Sequence, residues 1–410
     1  MKTEPRFLAE NKDDVKIKFL LFLISPFLGF IYSIKRINTK SSFIIFFLFS
    51  LCFGMCFTPK KSLIYIDGQH YQELFLSYRN SSVKKFENNF NKYIHFKTEI
   101  KDYYADTLAF FVSRFSDNYH VFFFFASIIF SFFLLKTFKY LTNEEEFNNS
   151  YTCFLLCYLF VNISIFNING LRFWTGYWIA MFALFKIFKD KNYKYILLIA
   201  ISAFCHGTLL LLLPLLLIAI VTKRFRNIWV ILYIASFFIS EVAFTAIEYV
   251  TDYLPMFMQK LVNSYTSIKF INQATAEGTG FWIVGEFFKH VVSFFFFITM
   301  ILIIINKQKI IDEKRTENLF TLLLVLMTFS NFFSAIPSLG SRFSMFTYPL
   351  VAYIWLLHFK DYKKNYSLFF NLIPIYFFMK IFNESRLYVQ TLNVDFFISS
   401  PIYLAIKYLL

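Results

Sequence analysis

The chain has 410 residues, of which 58% are hydrophobic, 23% aromatic and only 16% charged, with a formal net charge of +15. A soluble domain of this length carries more charge and fewer unbroken apolar runs, so the composition excludes one. The positive charge lacks the aromatic-interleaved basic surface of a nucleic-acid binder, and nucleic acid is not an expected partner.

Apolar runs long enough to cross a bilayer core recur from one end of the chain to the other. In chain order they cover 19–34, 42–58, 119–135, 151–167, 172–188, 195–205, 208–222, 228–240, 281–305, 318–336, 342–358 and 366–382. The expected fold is therefore all-α: a polytopic integral membrane protein with about 12 transmembrane helices. A single membrane domain over residues 1–410 is expected, because no repeat and no Gly- or Ser-rich linker divides the chain. Lysine and arginine concentrate in 136–150, 186–194, 223–226, 306–317 and 359–365, which the positive-inside bias places in the cytoplasm. The longer connections 59–118 and 241–280 then fall outside. Strict alternation also puts the N-terminus outside, yet it carries Lys2, Arg6, Lys12, Lys16 and Lys18. A re-entrant first span, bent at Ser25-Pro26, would resolve that conflict. No cleavage site follows the first span, so no signal peptide is read. The run 195–222 is expected to break near His206-Gly207, because its flanks are both basic and belong on one side. The tail after Val394 reads as an interfacial helix or one more short crossing.

The 62 phenylalanines reflect A/T-rich codons and lipid-facing positions rather than a sugar track. Cys52, Cys56, Cys153, Cys157 and Cys205 all lie inside apolar runs without a histidine or carboxylate beside them, so they read as packing thiols, with no metal and no disulfide. No Walker loop, dinucleotide turn, zinc motif or nucleophile elbow occurs, and no cofactor is expected.

What remains is a small set of polar groups at membrane depth, where they are costly. Arg172 closes Asn167-Ile168-Asn169-Gly170-Leu171-Arg172 at the outer mouth of a span. Its fork of donors suits phosphate, although Trp174, Tyr177 and Trp178 make it resemble an interfacial anchor equally well. Arg342 follows Ser338-Leu339-Gly340-Ser341 as a second cation at similar depth. Two such cations match the two phosphates of a diphosphate, and again an anchor is the plain alternative. His206 is a candidate general base, or a helix-end residue bonded to its own loop. Glu286, Lys289 and His290 share one helix face, either to handle protons and substrate or as a self-satisfied polar stripe. Asp67 and Tyr71 open the first external connection and are candidates to line a sugar site, and Arg114 precedes the third span. Tyr348 lies six residues after Arg342.

Taken in order, these segments resemble the EpsG-like branch of the bacterial Wzy-type polysaccharide polymerases. The matching positions are Asp67 and Tyr71, Gly170 and Arg172, His206, Thr208 and Pro214, then Arg342 and Tyr348, over roughly residues 15–385. Where that family usually carries Arg-Gln, this chain has Arg172-Phe173. The resemblance implies a GT-C-like membrane glycosyltransferase bundle in the bacterial inner membrane. It also implies joining of undecaprenyl-diphosphate-linked oligosaccharide units on the outer face, giving O-antigen, capsule or exopolysaccharide. Arg172 and Arg342 would stabilise the departing diphosphate, and Asp67 or His206 would take the acceptor proton. Tyr71, Arg114, Glu286, Lys289, His290 and Tyr348 would bind substrate. Membrane lipids and a chain-length regulator are the implied partners. A lipid-linked oligosaccharide flippase or transporter and a membrane acyltransferase acting on a surface glycan stay open as alternatives. The transporter reading is weakened by the lack of a second helix break to mirror the one at His206.

Overall fold

The structure is a computed structural model that describes residues 9–59, 67–95, 102–142, 164–253, 282–336, 338–359 and 391–410, with a few isolated positions besides. The expected spans 151–167 and 366–382 lie largely outside the described residues. Among the described residues every regular element is helical and no β-strand occurs.

Helices α1 (Lys12–Ile24) and α2 (Pro26–Ile34) divide the first expected span at Ser25. Ser25 is extended, its hydroxyl accepts the N–H groups of Phe27 and Leu28, and Pro26 starts α2 without a donor to satisfy. A Cβ on Gly29 would sit 2.7 Å from that of Phe22, so α2 folds back onto α1 with glycine at the contact. The bend expected at Ser25-Pro26 is present. The two helices lead into α3 (Lys40–Cys56), which packs on α7 (Tyr119–Thr142) through another close approach at Gly54, whose Cβ would meet Ser127 at 2.5 Å.

The connection expected at 59–118 is itself folded into α4 (Asp67–Tyr78), α5 (Val83–Ile94) and α6 (Tyr104–Val112). Phe86, Phe90 and Tyr93 of α5 recur at helical spacing and put one aromatic face inward. Phe86 stacks on Phe110 at 4.1 Å, and Tyr93 on Tyr103 at 5.5 Å. Arg114 fastens the far end of this layer.

A 3₁₀ turn (Ile165–Gly170) enters α8 (Leu171–Phe188), the central helix. It is apolar nearly all round and almost every side chain on it is buried, as befits a helix surrounded by others. Next come α9 (Ile196–Cys205), a 3₁₀ turn (Gly207–Leu211) and α10 (Leu212–Val221). The expected break at His206-Gly207 is thus present. A Cβ on Gly176 of α8 would lie 2.9 Å from Ser202 O and 2.4 Å from Leu209, which explains how α9 and the broken turn approach α8 so closely.

Helices α11 (Arg226–Ser236), α12 (Ser240–Thr251), α13 (Trp282–Ile305), α14 (Lys307–Asp312), α15 (Glu317–Phe332), α16 (Leu339–Ser344) and α17 (Thr347–His358) follow. The chain closes with α18 (Asp395–Ile398) and α19 (Pro401–Leu409), the latter short and partly apolar on its exposed side.

The basic connections meet at one end of the bundle. Lys186 pairs with Asp190 at 2.7 Å and Arg226 with Glu317 at 2.7 Å; Lys307 reaches Asn227 at 2.8 Å and Lys309 the carbonyl of His358 at 3.1 Å. Arg172 occupies the opposite end of α8, about 21 Å away at 1.5 Å per residue. Leu197, Leu217, Val221, Ile231 and Phe238 are exposed along α9–α11 and its end, an apolar wall suited to lipid.

The described residues do not confirm the expected count of 12 spans. Among the described residues, α7 is the one helix long and apolar enough to cross a membrane by itself; Lys40–Cys56, Gly207–Val221 and Glu317–Phe332 are shorter apolar segments. The breaks at Ser25 and between α16 and α17 divide stretches that hydropathy alone reads as continuous.

Candidate functional site

The turn leading into α8 is built by its polar residues. The hydroxyl of Ser164 accepts the Phe166 N–H at 3.3 Å while the Ser164 N–H donates to Asn167 Oδ1 at 3.1 Å, a reciprocal cap. Asn169 reaches out of the turn and accepts the N–H of Gly68 at 2.9 Å. A Cβ at Gly68 would stand 2.8 Å from the Phe57 ring and 2.9 Å from Asn169 Oδ1, so the start of α4 docks here because residue 68 is glycine. Asn167, Asn169 and Gly68 therefore set the position of α4 against α8.

That docking brings Tyr71 and Arg172 together. Arg172 Nε donates to the Tyr71 hydroxyl at 3.1 Å, and Arg172 Nη1 donates to both oxygens of Asp102 at 3.0 and 3.3 Å. The Asp102 side chain is 2% exposed and that of Arg172 is 32% exposed. Tyr71, expected beside the sugar, is buried, and its hydroxyl supports the guanidinium.

Asp102 was not singled out by the sequence. It lies in a stretch without a motif, and 70 residues separate it from its partner. The available signal was generic: an arginine at membrane depth needs a counter-ion. Asp67, Asp102, Asp106 and Asp117 were equally eligible. The Tyr103 N–H donates to Phe204 O at 3.1 Å, which fastens this stretch to the end of α9. One turn further on, Asp106 accepts the Tyr78 hydroxyl at 2.8 Å. Burial pushes the Asp106 carboxyl above the usual range, against the pull of Tyr78, Arg172 and His70.

His206 terminates α9 in extended geometry. Its Nδ1 lies 2.7 Å from Thr208 Oγ1 and faces the Thr208 N–H at 3.4 Å. The imidazole edge meets the Phe173 ring at 5.3 Å, and the Arg342 guanidinium lies over the same ring at 5.0 Å. Phe173 stands next to Arg172, so one aromatic residue draws His206 and Arg342 to the Arg172 end of α8. The Arg342 turn is braced by Tyr177, whose hydroxyl donates to Met345 O at 3.0 Å. It is also braced by Gly340, where a Cβ would stand 2.6 Å from Ser330 O.

The other expected residues are placed differently. Asp67 is exposed at the first turn of α4, close enough to Tyr71 for its charge to be felt there. Tyr348 packs its ring edge-on to Phe296 at 4.8 Å. Arg114 is drawn inward, with its guanidinium donating to the carbonyls of Ser81 at 3.0 Å and Phe110 at 3.3 Å and also to that of Tyr78; it ties α4 to α6. A guanidinium engaged in this way clasps the end of α4. His290 is exposed on α13, while the side chains of Glu286 and Lys289 lie outside the described residues. Among the described residues no group of three or more His, Cys, Asp or Glu side chains could hold a metal, and Cys52, Cys56 and Cys205 are buried free thiols.

No curated protein and no solved structure matches the chain. A family model does, described as the EpsG family, over residues 63–393, a stretch that contains Asp67, Asp102, Arg172, His206 and Arg342. With its apolar all-helical bundle and a match across most of its length, the chain is a membrane protein belonging to the EpsG family.

Proposed function

We propose that this protein polymerises undecaprenyl-diphosphate-linked oligosaccharide units into O-antigen, capsule or exopolysaccharide on the outer face of the bacterial inner membrane. The observation that carries the reading is the meeting of His206 and Arg342 on the ring of Phe173, the residue next to Arg172, in a chain of the EpsG family and at the end of α8 away from the basic connections. In the reaction, the bond between the sugar's anomeric carbon and the diphosphate oxygen breaks, and the lipid diphosphate leaves with the electron pair. The anomeric carbon bonds to a hydroxyl oxygen of the next lipid-linked unit, whose proton passes to a base. Arg172 and Arg342 stabilise the charge that develops on the leaving diphosphate. Asp67 is the preferred base, since it is exposed while His206 Nδ1 is engaged by Thr208. The apolar wall along α9–α11 suits the polyprenyl tail. A separate chain-length regulator is a proposed partner.

The test is deletion in the native host with surface glycan separated on a gel. Loss of a polymerase leaves lipid cores capped by one repeat unit. Complete absence of repeats would instead indicate a flippase and sink the proposal. Long chains made by Arg172→Ala and Arg342→Ala proteins at normal membrane levels would remove the diphosphate clamp.

A further inference from the structure

The support of Arg172 is uneven. A guanidinium carries five N–H donors. The Tyr71 hydroxyl takes the one on Nε, and Asp102 takes Nη1 with both oxygens. Both donors on Nη2 are without a protein hydrogen bond among the described residues. The two acceptors are deeply buried, Tyr71 at 1% and Asp102 at 3% exposure, while the Arg172 side chain keeps 32%. Each acceptor is itself fixed. Tyr71 is fixed because α4 docks through Gly68 on Asn169 at 2.9 Å, and Asp102 because its neighbour Tyr103 bonds Phe204 O at 3.1 Å. The guanidinium is thus gripped on its Nε and Nη1 side by rigid groups, and its remaining donors are left for something else.

We propose that Asp102 is a positioning residue for anion binding: with Tyr71 it locks the Arg172 guanidinium so that the two Nη2 donors face an incoming phosphate. This deepens the polymerase reading and rests on it for the identity of the phosphate, a lipid diphosphate. The two effects of Asp102 on an anion have opposite signs. Its charge repels the phosphate, and its grip on Nη1 preorganises the arginine. The structure favours the grip. Both carboxylate oxygens accept from Nη1, so the arginine attracts the anion through oriented donors rather than through net charge. Phosphates recognised by a donor set held in place lose less freedom on binding than those captured by a loose side chain.

Opposite signs make a clean experiment. The full-length protein, purified in detergent, is titrated with farnesyl diphosphate and with inorganic diphosphate, and each variant is first checked for a monodisperse profile. Wild type binds farnesyl diphosphate and Arg172→Ala does not. Asp102→Asn keeps an acceptor for Nη1 and loses the repelling charge, so it binds as tightly as wild type or more tightly. Asp102→Ala loses both, and positioning predicts about tenfold weaker binding despite the gain in positive charge. Tyr71→Phe leaves every charge unchanged and frees Nε, with about fivefold weaker binding expected. It decides the matter by itself if Asp102→Ala fails to fold. Asp102→Ala binding more tightly, in step with Asp102→Asn, makes Asp102 a mere countercharge and overturns the proposal, as does Tyr71→Phe binding like wild type. A wild-type protein that binds neither probe, or an Arg172→Ala protein that binds as wild type does, removes the lipid-diphosphate reading and this proposal with it.

Discussion

Replacing Arg172 by alanine tests more than catalysis, because the side chain also neutralises a buried carboxylate. Arg172 donates to Asp102 at 3.0 and 3.3 Å and to Tyr71 at 3.1 Å, and the Asp102 side chain is 2% exposed. Removing one partner of a buried ion pair costs about 3–5 kcal/mol, since the other charge stays behind without that counter-ion. Arg172 retains 32% exposure, so water reaches its site once the side chain is gone, and the lower end of that range applies. Arg172→Ala should therefore lose about 3 kcal/mol of stability. The double variant Arg172→Ala/Asp102→Asn has no stranded charge and should recover most of that loss. The assay is thermal unfolding of the detergent-purified proteins, run beside chain-length analysis of surface glycan in the deletion host. The double variant is expected to be folded and abundant, yet to make no long chains. A melting curve for Arg172→Ala that overlays wild type would refute the reasoning, because Asp102 could not then be a buried charge dependent on Arg172. Equal instability of the single and double variants would refute it as well.

Other outcomes follow from the same contacts. Phe173→Ala removes the ring shared by His206 and Arg342; a contact worth about 1–2 kcal/mol predicts roughly tenfold slower chain extension at unchanged protein level. Normal extension would show that the two groups are held by something else. Arg114→Ala frees the carbonyls at the end of α4, so the melting temperature falls while farnesyl diphosphate binding of the folded protein stays within about twofold of wild type. Loss of binding without loss of stability would return Arg114 to the substrate site. On the far side, Glu10 accepts hydrogen bonds from Lys18 at 2.9 Å, from the Ser41 N–H at 3.0 Å and from the Ser41 hydroxyl. Burial raises its pKa, but these bonds outweigh burial and lower it from 4.5 to about 2. A depressed carboxyl stabilises the fold above its unfolded pKa and loses that contribution as pH falls. The stability of wild type should thus drop between about pH 4.5 and 2, and Glu10→Gln should flatten that part of the melting profile. An unchanged acid limb would place the transition elsewhere.

The amino-acid sequence by itself determined the class of protein and the identity of the costly groups. Long apolar runs dictate helices in a bilayer, and a charge or an imidazole inside such a run stands out against them. Arg172, Arg342 and His206 could be named for that reason. The breaks at Ser25-Pro26 and His206-Gly207 were legible too, because proline, glycine and flanking lysines act locally. Other features were decided only by tertiary structure. The described part of the connection at 59–118 folds into helices α4, α5 and α6, whose packing depends on aromatic faces meeting across the layer. Arg114 serves as a clasp because the carbonyls at the end of α4 lie within its reach. Phe173 gains its role only when Arg342 and His206 arrive from distant segments. Asp102 is the clearest case. A carboxylate in a motif-free stretch becomes the partner of Arg172 because α4 and the segment before α6 dock on the entrance of α8. Pairing over such a separation leaves no periodic trace in a sequence, since it depends on where two elements come to rest in space.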